Sequence, residues 1–358
     1  MPPRPSIRAH RLFFACLLGL CIVALSACEW SDLINGDDDD DGNGAGDNTP
    51  PATDTNVAGL SVAVSGSDFD TTLANVRSAI GDRANIDTIT TVDHQENADN
   101  AGENLRPTTV ILFDDPDRSA ALIAADPRVA VDLPMRVLVY RDGNGSGSGT
   151  GNIAVAYTNA AYLRARYDLD GAEQGTLDGF DQDLRAIAMD ATGDNPSAGA
   201  ATGVSRREGI NRVSSDSDFD TTLDRLEDAI NDRGKLSLIE TIDFQGRAAD
   251  PGSLNPSTLL VFGNPDVGTK FLQSSQTAGV DLPQKMLVSA GDSGDVTIYY
   301  NDPRFIADRH GIDNRGDQVE SVRDLLETLA GEAAGNSSGD NASDPDPNDD
   351  PGDPPATP

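Results

Sequence analysis

Ser67-Asp68-Phe69-Asp70-Thr71-Thr72-Leu73 recurs as Ser217-Asp218-Phe219-Asp220-Thr221-Thr222-Leu223, at an offset of 150 residues (217 against 67). In the second occurrence Phe219, Leu223, Leu226 and Ile230 follow one another at intervals of four, three and four. That spacing places them on one face of an amphipathic helix over Asp218–Asp232. Phe69, Leu73, Val76 and Ile80 repeat the face in the first. The serine at the head is expected to cap the free N–H groups, and the early aspartates suit the positive end of a helix. Gly234 is expected to stop the second helix.

Outward from that helix, the second copy is the easier to follow. A short strand at Gly209–Val213 precedes it and a strand at Leu236–Phe244 follows. Thr258–Phe262 is a continuous apolar run and reads as a buried central strand. Gly263-Asn264-Pro265 turns the chain, and Val267–Ser274 has the length of a short helix. Asp281-Leu282-Pro283 leads into a strand at Lys285–Ser289. A Gly291–Gly294 turn joins this to a strand at Val296–Tyr300. Asn301-Asp302-Pro303 ends that strand, Phe305–His310 forms a helical turn, and Val319, Val322, Leu326 and Leu329 mark a second amphipathic helix over Gln318–Leu329. The order strand, helix, four strands, helix predicts an α+β two-layer sandwich with a mainly antiparallel sheet.

The first copy keeps the plan. Val110–Phe113 matches Leu259–Phe262, Asp132-Leu133-Pro134 matches Asp281-Leu282-Pro283, and Tyr157 matches Tyr300. A longer Gly/Ser loop at Arg141–Asn152 shifts the register between the last two. The chain therefore reads as two tandem domains, 57–192 and 206–335, joined by a linker at 193–205. Near-equal copies on a short linker lead us to expect that they pack as a pseudo-twofold pair in place of a homodimer.

Taken together, Ser-Asp-Phe-Asp-Thr-Thr-Leu, Phe262-Gly263-Asn264-Pro265, Asp281-Leu282-Pro283, Tyr300-Asn301-Asp302-Pro303 and Arg309-His310-Gly311-Ile312 resemble the DUF302 family. The resemblance implies a fold similar to half of a TATA-binding protein. It brings no established activity with it.

The copies part company at their polar loops. Gly263-Asn264-Pro265 becomes Asp114-Asp115-Pro116, Asn301-Asp302-Pro303 becomes Thr158-Asn159-Ala160, and Arg309-His310-Gly311 becomes Arg166-Tyr167-Asp168. The second copy is thus the expected binder, with Asn264, Asp281, Asn301, Asp302, Arg309 and His310 as candidate ligand-binding residues. Each has a structural alternative. His310 before Gly311 suits a helix C-terminus, Asn and Asp at turns bond their own backbone, and Asp281 sets the entry of a strand. His94 aligns with Phe244 and is expected to pack at a strand end. No residue is assigned a catalytic role; the competing reading is an enzyme built on His310, Arg309 and Asn264. The chain has no G-x-S-x-G, H-E-x-x-H or phosphate-loop motif. No cofactor and no metal site is expected.

Acidic residues outnumber basic ones 60 to 26, a formal net charge of −34. This argues against nucleic acid, whose phosphates need Lys and Arg, and against adsorption to anionic lipid. The three cysteines, Cys16, Cys21 and Cys28, lie in the first 28 residues, which leaves no thiol chemistry for the domains. Arg4, Arg8 and Arg11 precede an apolar segment at Leu12–Val23, as in a signal peptide. Leu25-Ser26-Ala27-Cys28 then resembles the lipobox of bacterial lipoproteins. The resemblance implies removal of residues 1–27, lipidation of Cys28 and attachment to a membrane of the cell envelope. Glu29, in place of an aspartate, points to the outer membrane. Residues 28–56 and 336–358 are poor in apolar side chains and read as a disordered acidic tether and tail. Asp37-Asp38-Asp39-Asp40-Asp41-Gly42 opens like a calcium loop but has Asn48 where a bidentate Glu belongs, so it reads as a solvated acid run. The expected partner, besides the membrane, is a small ligand or an envelope protein.

Overall fold

The computed structural model describes residues 57–143, 151–167, 169, 171 and 173–335. The expected signal peptide, Cys28, the expected tether, the Asp37–Gly42 run and the expected tail lie outside the described residues. The first half runs β1 (Leu60–Ser65), α1 (Phe69–Gly81), β2 (Asp87–Asp93), α2 (His94–Asn100), β3 (Thr108–Asp114), α3 (Pro116–Ala125), a tight helical turn at Pro127–Val131, β4 (Met135–Arg141), β5 (Ile153–Thr158), α4 (Ala160–Arg166) and α5 (Glu173–Thr192). A two-residue strand β6 (Ser197–Ala198) follows. The second half repeats the series: β7 (Ile210–Ser215), α6 (Phe219–Asn231), β8 (Ser237–Asp243), α7 (Phe244–Arg247), β9 (Ser257–Gly263), α8 (Pro265–Ser274), a tight turn at Gln276–Val280, β10 (Gln284–Ala290), β11 (Val296–Asn301), α9 (Pro303–Arg309) and α10 (Gly316–Ala334).

Each half is the α+β unit that the sequence predicts. The sheets have the orders β2-β3-β4-β5-β1-β6 and β7-β11-β10-β9-β8, and all their pairings are antiparallel. The middle strand of the second sheet is β10; β9, read from its apolar run as central, lies one place toward the edge. That run is apolar because β9 is covered on both faces, and Leu259, Leu260 and Val261 are wholly buried.

The repeated heptapeptide builds the same helix start twice, with a correction to the capping residue. Asp68, not Ser67, is the cap: its Oδ1 accepts from the Thr71 N–H at 2.9 Å, and its Oδ2 from the Thr71 hydroxyl at 2.9 Å. Asp218 does the same for Thr221. The next threonine turns inward. Thr72 is fully buried and donates to the Asp68 carbonyl at 2.8 Å, with Ser65 Oγ 2.7 Å away. Thr222 bonds to Asp218 and Ser215 in the same way. A carboxylate fits the cap better than a hydroxyl because it meets two donors while its charge faces the positive helix end. The C-cap of α6 is Asp232 rather than Gly234. Below the cap, Val76 and Ile80 are fully buried; removing such a side chain from water contributes about 1.5–3 kcal/mol.

Helices α1 and α5 pack on one face of the first sheet, and α6 and α10 on one face of the second. The other face of each sheet is covered by the opposite half. The Gln276–Val280 turn lies against β3, β4 and β5, and the Pro127–Val131 turn lies against β9, β10 and β11. Farther out, α2 meets α8 and α3 meets α7. Each of these contacts between elements thus occurs twice with the halves exchanged. One hydrophobic cluster takes in residues of both halves, from Val57 to Leu287. Part of the linker is itself structured: β6 pairs with β1, and Asn159 Nδ2 donates to the Gly199 carbonyl at 2.9 Å.

Candidate functional site

The polar residues of interest meet where the halves cross. Asp132 ends the Pro127–Val131 turn, and Arg166 ends α4. Arg166 Nη1 donates to Asp132 Oδ2 at 2.7 Å, and the Tyr167 hydroxyl donates to the same oxygen at 2.7 Å. In the second half Asp281 and Arg309 hold the same places. Arg309 Nη1 lies 2.7 Å from Asp281 Oδ2, and His310 Nε2, in the place of the Tyr167 hydroxyl, lies 2.7 Å from that oxygen. All four charged side chains are at most 1% exposed.

The guanidinium groups bridge the halves. Arg166 Nε donates to the Glu208 carbonyl at 2.9 Å and Nη2 to the Gly209 carbonyl at 3.1 Å, while its carbon lies 4.2 Å from the centre of the Phe305 ring. Arg309 Nε donates to the Ala58 carbonyl at 3.1 Å and Nη2 to Thr158 Oγ1 at 3.2 Å, and it lies 4.0 Å from the centre of the Tyr162 ring. Each arginine therefore pairs with a carboxylate of its own half and stacks on an aromatic of the other. Gly59 and Gly209 permit the close approach. Both have φ above +60°. A Cβ on Gly59 would lie 2.3 Å from Tyr162 Cβ, and one on Gly209 would lie 2.2 Å from Phe305 Cγ.

A second pair of cations sits beneath the carboxylates. Arg136 Nη2 donates to the Asp132 carbonyl at 2.8 Å, and Lys285 Nζ to the Asp281 carbonyl at 2.6 Å. Burial, and then the nearby Arg136 charge, bring the Lys285 ammonium down to about 7. Burial pushes the Asp281 carboxyl up, but Arg309 and the hydrogen bond from His310 outweigh it and hold the group well below its ordinary value. Asp132 is likewise lowered, against its burial, by Arg166 and then Arg136. Burial lowers His310 and outweighs the Asp281 contribution. A neutral ring with its proton on Nε2 satisfies both neighbours, donating to Asp281 and accepting at Nδ1 from Thr277 Oγ1 at 2.9 Å.

Four of the six sequence candidates, Asp281, Asn301, Arg309 and His310, belong to this cluster. Asn301 Nδ2 reaches Asp132 Oδ1 across the halves at 3.2 Å. Its counterpart is Thr158, which is too short to return the bond, and Asp281 Oδ1 is left without a partner. The other two candidates serve their own helices. Asn264 Oδ1 accepts from the Asp266 N–H at 3.0 Å and caps α8; Asp302 Oδ1 accepts from the Arg304 N–H at 2.8 Å and caps α9. His94 is buried at the β2–α2 junction, where Phe244 sits in the other half.

The sequence reading missed Asp132, Arg136, Tyr162, Arg166 and Tyr167 as site residues, and Thr277 and Lys285 with them. A usable signal was present: Asp132 and Asp281 are retained in both copies, and Arg166 and Arg309 are retained while the residues after them change. Chemically, the cluster is a buried set of charge-assisted bonds. It presents no attacking group to solvent, and the ring that would act as a base is held between Asp281 and Thr277. Among the described residues, no group of three or more His, Cys, Asp or Glu is arranged to hold a metal. No described helix is long and apolar enough to cross a membrane.

Three curated proteins are 34% identical to this chain over 92 residues, 25% of its length: proteins named fluoride-specific ion channel FluC from Brucella suis, Brucella abortus and Brucella melitensis. The match covers 36% of the first and 34% of the others, so the chain spans about a third of the length of these relatives. Among solved structures, an uncharacterized conserved DUF302 protein from Bacillus stearothermophilus aligns at 16% identity with a TM-score of 0.32, over 35% of this chain and 98% of its own. The model of the family described as "Domain of unknown function DUF302" matches residues 60–187 and again 211–330, and with both halves matched the chain belongs to the DUF302 family.

Proposed function

We propose that this chain is a lipid-anchored protein of the bacterial cell envelope, tethered through Cys28 to the outer membrane. In this reading its two DUF302 units stand in for the subunits of a homodimer and serve as a non-catalytic binding module for a small ligand or an envelope protein. The observation that carries the non-catalytic part is the exchange of Tyr167 for His310. Both donate to the buried carboxylate at 2.7 Å from equivalent places. A position that takes a phenol in one half and an imidazole in the other asks for a hydrogen-bond donor, not a base. The alternative enzyme needs Asn264 beside His310, and Asn264 is committed to the start of α8.

The anchor rests on the Leu25-Ser26-Ala27-Cys28 motif behind an apolar segment. Acyl chains contribute about 0.8 kcal/mol per buried CH₂, so two or more hold a protein on a membrane stably. In detergent phase partition of cells expressing the full chain, the protein should enter the detergent phase, and Cys28→Ser should move it to the aqueous phase. A Cys28→Ser chain that stays with detergent removes the anchor. For the site, His310→Tyr should keep the fold better than His310→Ala. If a catalytic activity is found and His310→Tyr abolishes it with the fold intact, the enzyme reading replaces this one.

A further inference from the structure

The reciprocal packing is also broken at one rim of the junction. A cleft of about 410 Å³ opens between the halves, lined by Ile123 and Pro127 of the first and by Asn255, Ser257, Ser289 and Asp292 of the second, among others. Exchanging the halves turns these last five positions into Gln276, Arg106, Thr108, Tyr140 and Gly143. There the space is taken by side chains. Arg106 Nε donates to Gln276 Oε1 at 3.0 Å, and Gln276 Nε2 donates to Thr108 Oγ1 at 2.6 Å. Gln276, Thr108 and Tyr140 are all buried. In the cleft, proline replaces the glutamine, asparagine the arginine, and serine the tyrosine, so the guanidinium, the glutamine amide and the ring are missing.

What remains is chiefly hydroxyl and carboxylate oxygen, with the Asn255 amide turned to Asp292. Ser257 and Ser289 are buried at the cleft wall, with their hydroxyl oxygens 3.2 Å apart. Ser257 stands where Thr108 receives its N–H bond. Gly143 is the position against which the Arg106 guanidinium lies: a Cβ there would be 2.3 Å from Arg106 Nη1. Its counterpart in the cleft is Asp292, an exposed carboxylate accepting one bond from Asn255 Nδ2 at 2.8 Å. No residue lining the cleft is positively charged. A guanidinium entering along the path of Arg106 would therefore reach the Asp292 carboxylate.

We propose that this cleft binds a guanidinium group from outside the chain, on a small molecule or on an arginine side chain of a peptide. The proposal rests on reading the protein as a binding module and names the site and the ligand chemistry. A net charge of −34 favours the approach of a cation. Charge-assisted bonds to Asp292 and the hydroxyls supply the discrimination.

Calorimetric titration of the full chain at physiological salt tests the site. N-acetyl-arginine amide stands for a peptide side chain, agmatine for a free small molecule, and N-acetyl-citrulline amide is the uncharged isostere. Saturable binding of a guanidinium compound, about tenfold tighter than the citrulline compound, is expected. Asp292→Asn, at an exposed position, should weaken binding about tenfold with the fold unchanged. Ser289→Tyr, which restores the residue of the filled side, should abolish it. Tighter binding of agmatine identifies a free ligand, and tighter binding of the arginine amide a peptide. Absence of saturable binding, equal binding of the citrulline compound, or indifference to Asp292→Asn overturns the proposal. None of these outcomes alters the Cys28 partition result, so the two readings fail separately.

Discussion

Arg309 and Arg166 are the side chains on which the junction of the halves depends most. Each is buried with one carboxylate and held by backbone carbonyls of the opposite half. Removing one member of such a pair leaves a charge without compensation, at a cost of about 3–5 kcal/mol. Urea unfolding of Arg309→Ala should show a loss of that size; a loss under about 1 kcal/mol would mean that the pair carries little of the junction. His94 tests a different effect. Burial lowers it to about 4 from an ordinary 6.5, and its Nε2 has no hydrogen-bond partner among the described residues. A depressed folded value means that the unfolded chain takes up the proton first. This contribution is intact above pH 6.5 and is lost as pH falls toward 4. The same sign applies to His310. His94→Phe, which copies Phe244, should narrow the drop in melting temperature between pH 7 and pH 5. An unchanged drop would contradict the assignment. Much of this was half-visible in the sequence. The Asp-Leu-Pro motifs and the Arg309-His310 pair could be located, and each was read locally, as a turn and a helix end. His310 does occupy the C-cap of α9. Its ring, however, is used by residues 29 and 33 positions away, which no local pattern encodes.

At the scale of elements, the sequence was most informative where a single period governs burial. The faces of α1 and α6, the runs of β3 and β9, and the hairpin β10–β11 lie where spacing and turn residues put them. The capping residue shifted by one because serine and aspartate are both good caps, and only the geometry shows which side chain faces the Thr71 N–H. The faces of β4 and β10 away from the helices were not legible, because what covers them is the tight turn of the other half. Gly59 and Gly209 mark a second close approach, of the chain before β1 and β7 to an aromatic of the same half. Substituting alanine at either puts a side chain at positive φ and against an aromatic of α4 or α9, so both variants should unfold at lower urea than the parent. Gly81→Ala is the control, since space is open there. If Gly59→Ala is no worse than Gly81→Ala, the close approach of β1 to α4 is wrong.

For the whole molecule, duplication has done two things. It retained the paired Asp–Arg sites that join the halves, and it let the rims diverge, closing one cleft with Arg106 and Gln276 and leaving the other open at Ser289. The repeat was plain in the sequence because the helix face and the Asp-Leu-Pro motif recur, and the family with it because five motifs stand in order. The asymmetry was not, since it arises from residues of both halves at each rim. If the halves are joined through one core and one buried set of charges, neither should unfold while the other stands. Differential scanning calorimetry of the full chain measures this directly. The account predicts one transition, with calorimetric and van't Hoff enthalpies in agreement, that Arg309→Ala shifts downward as a whole. Two resolved transitions, only one of them moved by Arg309→Ala, would contradict it.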